Sequence, residues 1–284
     1  MKTLSVLKKD LEFNKGLTSL IETLKTIAVS QYRTLEQRIK SFKEFVVTIE
    51  SFFDLLSLER IEHPFLDAAG KSQAVVAITS DTGLLGGLNA QVIAAALREL
   101  EEIPGKLIVI GECGKAYVRE TSIPFVAFGG IIDEERQGQA MQLRDYIITE
   151  MMKGAFGYLK VVYPHPVSFT VQRVETVPFL PFTPAYVKEG QRIRYVPDII
   201  MESHPADCVG YLVYLWMGQR FYEIFGWSRL AEFAARFTHL EECTQRLKDM
   251  YKKVQLQYFK ARHELIDRNM RELFAARSLY ASLS

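Results

Sequence analysis

The stretch LAEFAARFTHLEECTQRLKDMYKKVQLQYFKARHEL, residues 230–265, decides how this chain folds. One line of it reads Leu230, Phe233, Phe237, Leu240, Thr244, Leu247, Tyr251, Val254, Tyr258, Ala261, Leu265. The steps alternate between three and four without interruption, which is the seam of a coiled coil. No proline or glycine lies between Trp227 and Ser284, so nothing in the backbone interrupts a helix there. At ~1.5 Å per residue, roughly 55 residues of helix would span about 80 Å. A seam of that length needs a partner, and the rest of the chain has to supply it.

The other proline-free stretch runs from Thr3 to about Glu59, with Gly16 its only glycine. Apolar positions recur helically as Leu4, Leu7, Leu11, Leu17, Leu20, Leu24 and Ile27. After Arg38 the line resumes one step out of phase as Ile39, Phe42, Val46, Ile49, Phe53, Leu56, a local change in winding. Helices at opposite ends of the chain would pair as an antiparallel coiled coil, with everything between them inserted. The alternative is two amphipathic helices folded onto a globular core, but neither carries the stop signals of an ordinary helix.

At Pro64 the composition changes. Strand-like runs cover Ala74–Thr79, Lys106–Ile110, Pro124–Phe128, Leu159–Tyr163 and Phe169–Val177, with helical segments at Asn89–Glu101, Gly114–Glu120 and Glu134–Phe156 between them. That alternation predicts βαβ units and a mainly parallel, Rossmann-like sheet. The last two strands flank Pro164 and Pro166 and read as a hairpin at a sheet edge. A loop-rich exit carries Pro178, Pro181, Pro184 and "VKEGQRIRY", and the chain turns helical again from about Ala206. The expected division is an N-terminal coiled-coil helix (1–62), an inserted α/β domain (63–205) and a C-terminal coiled-coil helix (206–284). The first and last would form one discontinuous domain.

Composition limits the functions. With 48% apolar residues a sizeable core is within reach, and 35 basic against 34 acidic residues leave no excess for nucleic acid. The three cysteines, Cys113, Cys208 and Cys243, are scattered and read as free thiols. No signal peptide is evident in residues 1–12, and no run nears the ~18 apolar residues of a membrane span.

The most conspicuous local motif, Ser80-Asp81-Thr82-Gly83-Leu84-Leu85-Gly86-Gly87-Leu88-Asn89, follows the first strand. A glycine-rich strand-to-helix turn can cradle phosphate, but the spacing is neither G-x-G-x-x-G nor a P-loop. The competing reading is a turn whose glycines let the backbone pass close to a neighbouring element. "VIGECGKAYVR" at 109–119 lacks the P-loop spacer and the hydroxyl after Lys115. The five histidines (His63, His165, His204, His239, His263) lack metal-ligand spacing, with His239 and His263 expected on the exposed side of the long helix. No nucleophile elbow or cysteine–base pair is present, and acidic pairs such as Glu241-Glu242 read as solvated faces. No catalytic residue, cofactor or metal is expected.

The motifs taken together resemble one family. "SDTGLLGGLN" resembles the signature turn of the γ subunit of F-type ATP synthases, with Thr82 where arginine is usual and Leu85 where cysteine is common. "AEFAARFTHLEECT", with Glu232 and Arg236, is similar to the stretch that opens the family's last helix. "LQYFKARHELIDRNMREL" is similar to the C-terminal signature through Tyr258, Lys260, Ala261, Arg262, Ile266 and Glu272. "LKTIAVSQYRTLEQRI" retains Ala28, Ser30, Arg33 and Arg38 of the first-helix motif, and "VETVPFLPF" also has a counterpart. The likeness runs end to end.

The resemblance implies a rotor shaft passing through a hexamer of α and β subunits. Its far end would sit on the ring of c subunits beside the ε subunit, on the cytoplasmic face of a bacterial inner membrane. Its rotation would couple proton or sodium flow to ATP synthesis or hydrolysis at the β subunits. The γ subunit would be non-catalytic and reach the membrane only through the c ring. The resemblance assigns contact with the ring to Leu24, Arg33, Glu232, Arg236, Arg262, His263, Asp267 and Glu272. It makes Ser80, Asp81, Gly83, Gly86, Gly87 and Asn89 the signature turn. Departures fall on the contact positions: His263 and Asp267 stand where glutamine and threonine are usual, and Leu24 and Thr26 replace methionines. They fit a divergent branch, such as the alternative ATPases found beside a conventional synthase. The alternative from another class is a nucleotide-binding α/β enzyme with a coiled-coil stalk, and a third is a generic tether. Past Leu265 the apolar positions slip to Ile266, Met270, Leu273 and Phe274, where a single helix would leave its partner and meet the ring as a bearing.

Overall fold

The structure is a computed structural model that describes residues 3–39, 48, 49, 52, 61–67, 72–121, 123–182 and 202–281, with side chains of the last helix described to 275. The elements in order are α1 (Leu4–Ile39), β1 (Gln73–Ile78), α2 (Leu88–Glu102), β2 (Gly105–Ile110) and α3 (Glu112–Arg119). They continue as β3 (Phe125–Phe128), α4 (Arg136–Met152), β4 (Tyr158–Pro166), β5 (Gln172–Leu180) and α5 (Pro205–Ala281). Of the expected continuation of the first helix past Ile39, Phe42, Val46, Phe53 and Leu56 lie outside the described residues, as does the loop-rich exit from 183 with Pro184, whereas Pro178, expected in that exit, lies in β5. The molecule is thus an α/β sheet with long terminal helices, and it divides into two compact units. One is Met1–Ile27 with Phe237–Ser284, the other Ala28–Arg236.

In Ala28–Arg236 the strand order is β3-β2-β1-β4-β5. All pairs are parallel except β4 with β5. Alternation along the strands sorts the two faces. Val75, Ala77, Leu107 and Val109 face α2 through Val92, Ile93 and Ala96. Ala74, Val76, Ile78, Ile108 and Ile110 face Ala140, Leu143, Ile147 and Met151 of α4 and Val213, Met217, Phe221 and Phe225 of α5. Both faces are covered, which is why these strands read as continuous apolar runs.

The hairpin differs from expectation in one respect. The prolines do not mark its turn: β4 runs through Pro164 and Pro166, and the turn lies at 167–171. β1 pairs with β4 only as far as Val162, so beyond that point β4 is bonded on one side. A proline without an N–H is tolerated there because one edge has no ladder to break. Tyr163, directly opposite Glu175, donates its hydroxyl to Glu175 Oε2 at 3.0 Å. Burial, and then Glu175, push the Tyr163 phenol above its ordinary range. The folded chain therefore keeps a proton that the unfolded chain loses above about pH 10, so stability should fall as pH rises through that point. Urea midpoints at pH 9 to 11 should decline less in Tyr163→Phe, at about those pH values, and equal slopes would show that Tyr163 carries none of the effect.

A repeated contact joins α4 to α5. Arg144 lies 3.6 Å over the Tyr214 ring and donates to its hydroxyl at 2.5 Å. Arg136 lies 4.3 Å over Tyr222 and donates to its hydroxyl at 2.8 Å. Both arginines are buried. Gly218 and Gly226 leave the space, since a Cβ would stand 2.8 Å from Arg144 Nη1 at the first and 3.4 Å from Arg136 Nη1 at the second. Arginines, tyrosines and glycines each recur at a spacing of eight, just over two helical turns, so one stripe of each helix carries the motif twice. The glycines that weaken α5 in propensity are thereby used for close packing.

In the other unit, Leu17, Ile21 and Leu24 of α1 pack with Leu240, Cys243 and Leu247 of α5, and Lys25 pairs with Glu241. Glu241 remains exposed as expected, while His239 is half-buried beside Cys243 at 3.7 Å, where a solvated position was expected. The inward line of α1 also differs from the expected one. Leu7, Asn14, Ile21, Ala28 and Leu35 are buried, a strict seven-residue repeat. Leu20 and Ile27 are exposed, with Val6 and Phe13 on the same outward line. Asn14 at 6% and Ala28 at 0% exposure lie inside while larger apolar groups lie outside, so side-chain size did not identify the inner face.

Candidate functional site

In an open α/β sheet the crevice for ligands lies beyond the carboxyl ends of the strands, where the connections change side. Here α2 and α3 follow β1 and β2 on one face, and α4 carries the chain back to β4 on the other. The change of side falls between β1 and β4, and the signature turn leaves the carboxyl end of β1 there.

The turn is closed on itself. Asn89 Oδ1 accepts the Ser80 amide at 3.2 Å and Asn89 Nδ2 donates to Ser80 Oγ at 2.9 Å. Ser80 Oγ donates to the Thr82 carbonyl at 2.7 Å. Asp81 Oδ1 accepts the Glu112 amide at 2.9 Å, and a Cβ on Gly130 would stand 2.1 Å from the same oxygen. From the neighbouring turn the Cys113 amide donates to the Ser80 carbonyl at 3.0 Å, and the Gly114 amide to Thr79 Oγ1 at 3.0 Å. Lys115 is held by Glu112 at 2.5 Å. Leu84 at φ 66° and Gly86 at φ 61° give the turn its left-handed bends. The amides of Ser80, Glu112, Cys113 and Gly114 donate within the protein and are not open to a phosphate.

What closes the crevice is α5. Leu85 and Leu88 pack on Ala235 and Val174. Arg236 Nη2 donates to Thr82 Oγ1 at 2.7 Å and to Glu232 Oε1 at 2.6 Å, and Thr82 Oγ1 stands 3.4 Å from that same oxygen. The other Glu232 oxygen takes Arg229 Nη1 at 2.5 Å. Arg229 is bidentate to Asp133 at 3.3 and 3.2 Å and lies 4.6 Å over the Phe233 ring. Burial disfavours the Arg229 charge, but Glu232 and Asp133 outweigh that and hold its pKa above the ordinary value. Two cations face two anions, and the network is neutral.

The two groups of residues expected to act separately are therefore one site in part. Glu232, one of the residues expected to touch the ring, is 4% exposed, and its carboxylate lies between two arginines. Arg236 is half-buried and bound to the signature turn. Thr82, the departure from the family's usual arginine, is the residue that receives Arg236. Of the remaining contact positions, Leu24 is half-buried in the α1–α5 packing and Arg33 is exposed. Arg262, His263, Asp267 and Glu272 are all exposed, and Glu272 accepts Arg268 Nε one turn away at 3.0 Å. Sequence reasoning did not find Asp133 or Arg229 as members of the network. The Arg229–Glu232–Arg236 spacing on one helix face was the available signal.

Comparison with known proteins fits this geometry. A profile of the family described as ATP synthase matches residues 3–278. Similar chains include the ATP synthase gamma chain of Pelotomaculum thermopropionicum, 23% identical over 280 residues and covering 96% of this chain and 97% of the relative. The gamma chain of Symbiobacterium thermophilum is 26% identical over 267 residues, with 91% and 92% covered. The fold is similar to a chain in the Euglena gracilis mitochondrial ATP synthase OSCP/F1/c-ring structure, with TM-score 0.69, 16% identity and 97% and 93% of the two chains covered. It is also similar to one in the Tetrahymena thermophila mitochondrial ATP synthase central stalk and c-ring, with TM-score 0.60, 20% identity and 79% and 99% covered. The long terminal helices and the α/β sheet thus share the fold of these chains. The chain belongs to the ATP synthase family, among its gamma chains.

Proposed function

We propose that this chain is the central rotor shaft of an F-type ATP synthase, coupling proton or sodium flow through a c ring to ATP synthesis or hydrolysis at β subunits. The observation that carries this reading is the family match over residues 3–278, which takes in both terminal helices and the sheet. The shaft is an antiparallel coiled coil. In its support, Leu35 and Ile39 meet Leu230 and Phe233, whereas Leu17, Ile21 and Leu24 meet Leu240, Cys243 and Leu247. Numbers fall on one helix as they rise on the other. The coiled-coil parts are 1–62 and 206–284, with 63–205 as the inserted, Rossmann-like domain.

The subunit is non-catalytic. Its partners are the α and β hexamer, the ε subunit and the c ring, and it is peripheral on the cytoplasmic face of a bacterial inner membrane. Among the described residues no helix is long and apolar enough to cross a membrane. Contact with the hexamer falls to the exposed end of α5, where Arg262, His263, Asp267 and Glu272 stand among Leu265, Ile266, Met270, Leu273 and Phe274, each of these apolar residues at least 45% exposed. Leu24 and Arg33 add to it from α1. Glu232 and Arg236 serve the shaft from within, by fixing the signature turn to α5. The 23% and 26% identities to the relatives above suit a divergent branch.

Co-expression with α and β subunits tests the reading: the chain should co-purify with the hexamer. Tight stoichiometric binding of ATP or NAD by the isolated chain would instead favour a nucleotide enzyme with a stalk. Arg262→Ala should leave the chain's own stability within about 0.5 kcal/mol, as for an exposed site, while lowering coupled ATP synthesis. A collapse in melting temperature would make Arg262 structural.

A further inference from the structure

Within Ala28–Arg236 lies a half-open cavity of about 520 Å³; Ile39 and Leu230 of its lining also pack the shaft and Arg33 is also a proposed hexamer contact, but the rotor reading gives the cavity itself no role. Its walls come from three elements: one face of α1, the β4–β5 turn and the α5 residues Trp227 and Leu230. Packed interiors leave few voids larger than a water molecule, and this volume is in the range of small-molecule sites.

The lining has a definite chemistry. Three aromatic side chains, Tyr32, Phe169 and Trp227, contribute to it. Tyr32 and Phe169 stand edge to face, centroids 4.8 Å apart at 82°, and so form a corner. Trp227 is backed by His165 at 5.2 Å. Glu36 and Arg33 line the same cavity from one helix face, and neither makes an ion pair among the described residues. Burial and the Glu36 charge both raise the Tyr32 pKa, so its hydroxyl stays protonated and can donate. Ser168 adds a second hydroxyl at the turn.

Each group selects one part of a ligand. Aromatic faces attract an organic ammonium, most strongly a quaternary one that cannot be satisfied by hydrogen bonds. A carboxylate beside them adds to that attraction. A guanidinium takes a carboxylate in bidentate fashion. Residues three apart on a helix have Cβ atoms ~5–6 Å apart, so the acid and the base are spaced for opposite charges only a few bonds apart. We propose that this cavity binds a compact zwitterion, a quaternary ammonium carboxylate, with its ammonium against the aromatic corner and Glu36 and its carboxylate on Arg33.

The test uses the full chain and glycine betaine, with tetramethylammonium and acetate as its two halves. Calorimetry and the fluorescence of Trp227 would be read together, Trp216 being 7% exposed and away from the cavity lining. Betaine should bind with a Kd of ~1 mM and at least about tenfold more tightly than either half. Glu36→Gln should weaken it about tenfold, Arg33→Ala should remove its advantage over tetramethylammonium, and Glu22→Gln, an exposed acid of the same helix, should change nothing. If Glu36→Gln melts with the wild type lost, the exposed Arg33→Ala carries the comparison. No betaine binding at about 50 mM, or tetramethylammonium binding as tightly as betaine, overturns the assignment.

Discussion

Glu232→Ala should cost this chain about 3–5 kcal/mol, the range for breaking a buried ion pair by removing one partner. The carboxylate is 4% exposed and joins Arg229, Arg236 and, through Arg236, Thr82. Without it Arg229 retains Asp133, but Arg236 loses its ion-pair partner, and one positive charge in excess remains at a partly buried site. Urea unfolding of the full chain measures the loss. Glu272→Ala, where the acid meets Arg268 at an exposed position, should stay within about 0.5 kcal/mol. Equal midpoints for the two variants would mean that the network does not hold the signature turn to α5.

The second large effect is expected at Gly111, just after β2. Its φ is +96°, and a Cβ would stand 2.4 Å from the Thr79 carbonyl oxygen and 2.9 Å from that of Ser80. Both are backbone atoms and cannot rotate away. Left-handed strain of ~1–3 kcal/mol adds to overpacking of similar size, so Gly111→Ala should lose about 3 kcal/mol or more. Gly83 in the signature turn has open space around it and no left-handed φ. Gly83→Ala should therefore be neutral or stabilise by up to about 1 kcal/mol through the unfolded state. If both glycines tolerate alanine alike, the two turns do not meet as closely as described.

Much of this was legible in the residues. The strands fell within a few residues of their expected positions because both faces of the sheet are buried, and continuous apolar runs between glycines and prolines mark such strands. The final helix was legible from its unbroken spacing. The inward face of α1 was misread because two lines on that helix carry helical spacing. The outward line holds Val6, Phe13, Leu20 and Ile27, the inward one includes Asn14 and Ala28. A close helix partner selects small or polar side chains, and a hydrophobicity count ranks those lower. The hairpin turn was placed too early because proline was taken as a stop. It is one only where both edges of a strand are bonded.

The sequence alone determined the order of elements, the sheet type, the long helices and the family, because each depends on spacing or motifs along the chain. Only the tertiary structure decided what the glycine-rich turn does. A strand-to-helix turn with free amides would hold phosphate. The same turn with Asn89 and Asp81 bonded to its own and neighbouring amides, and with Arg236 on Thr82, is a fastening to α5. Asp133 and Glu232 are 99 positions apart and share one guanidinium. No local pattern announces such a pairing, since it exists only once the sheet has brought the start of α4 and the middle of α5 to the same end of β1.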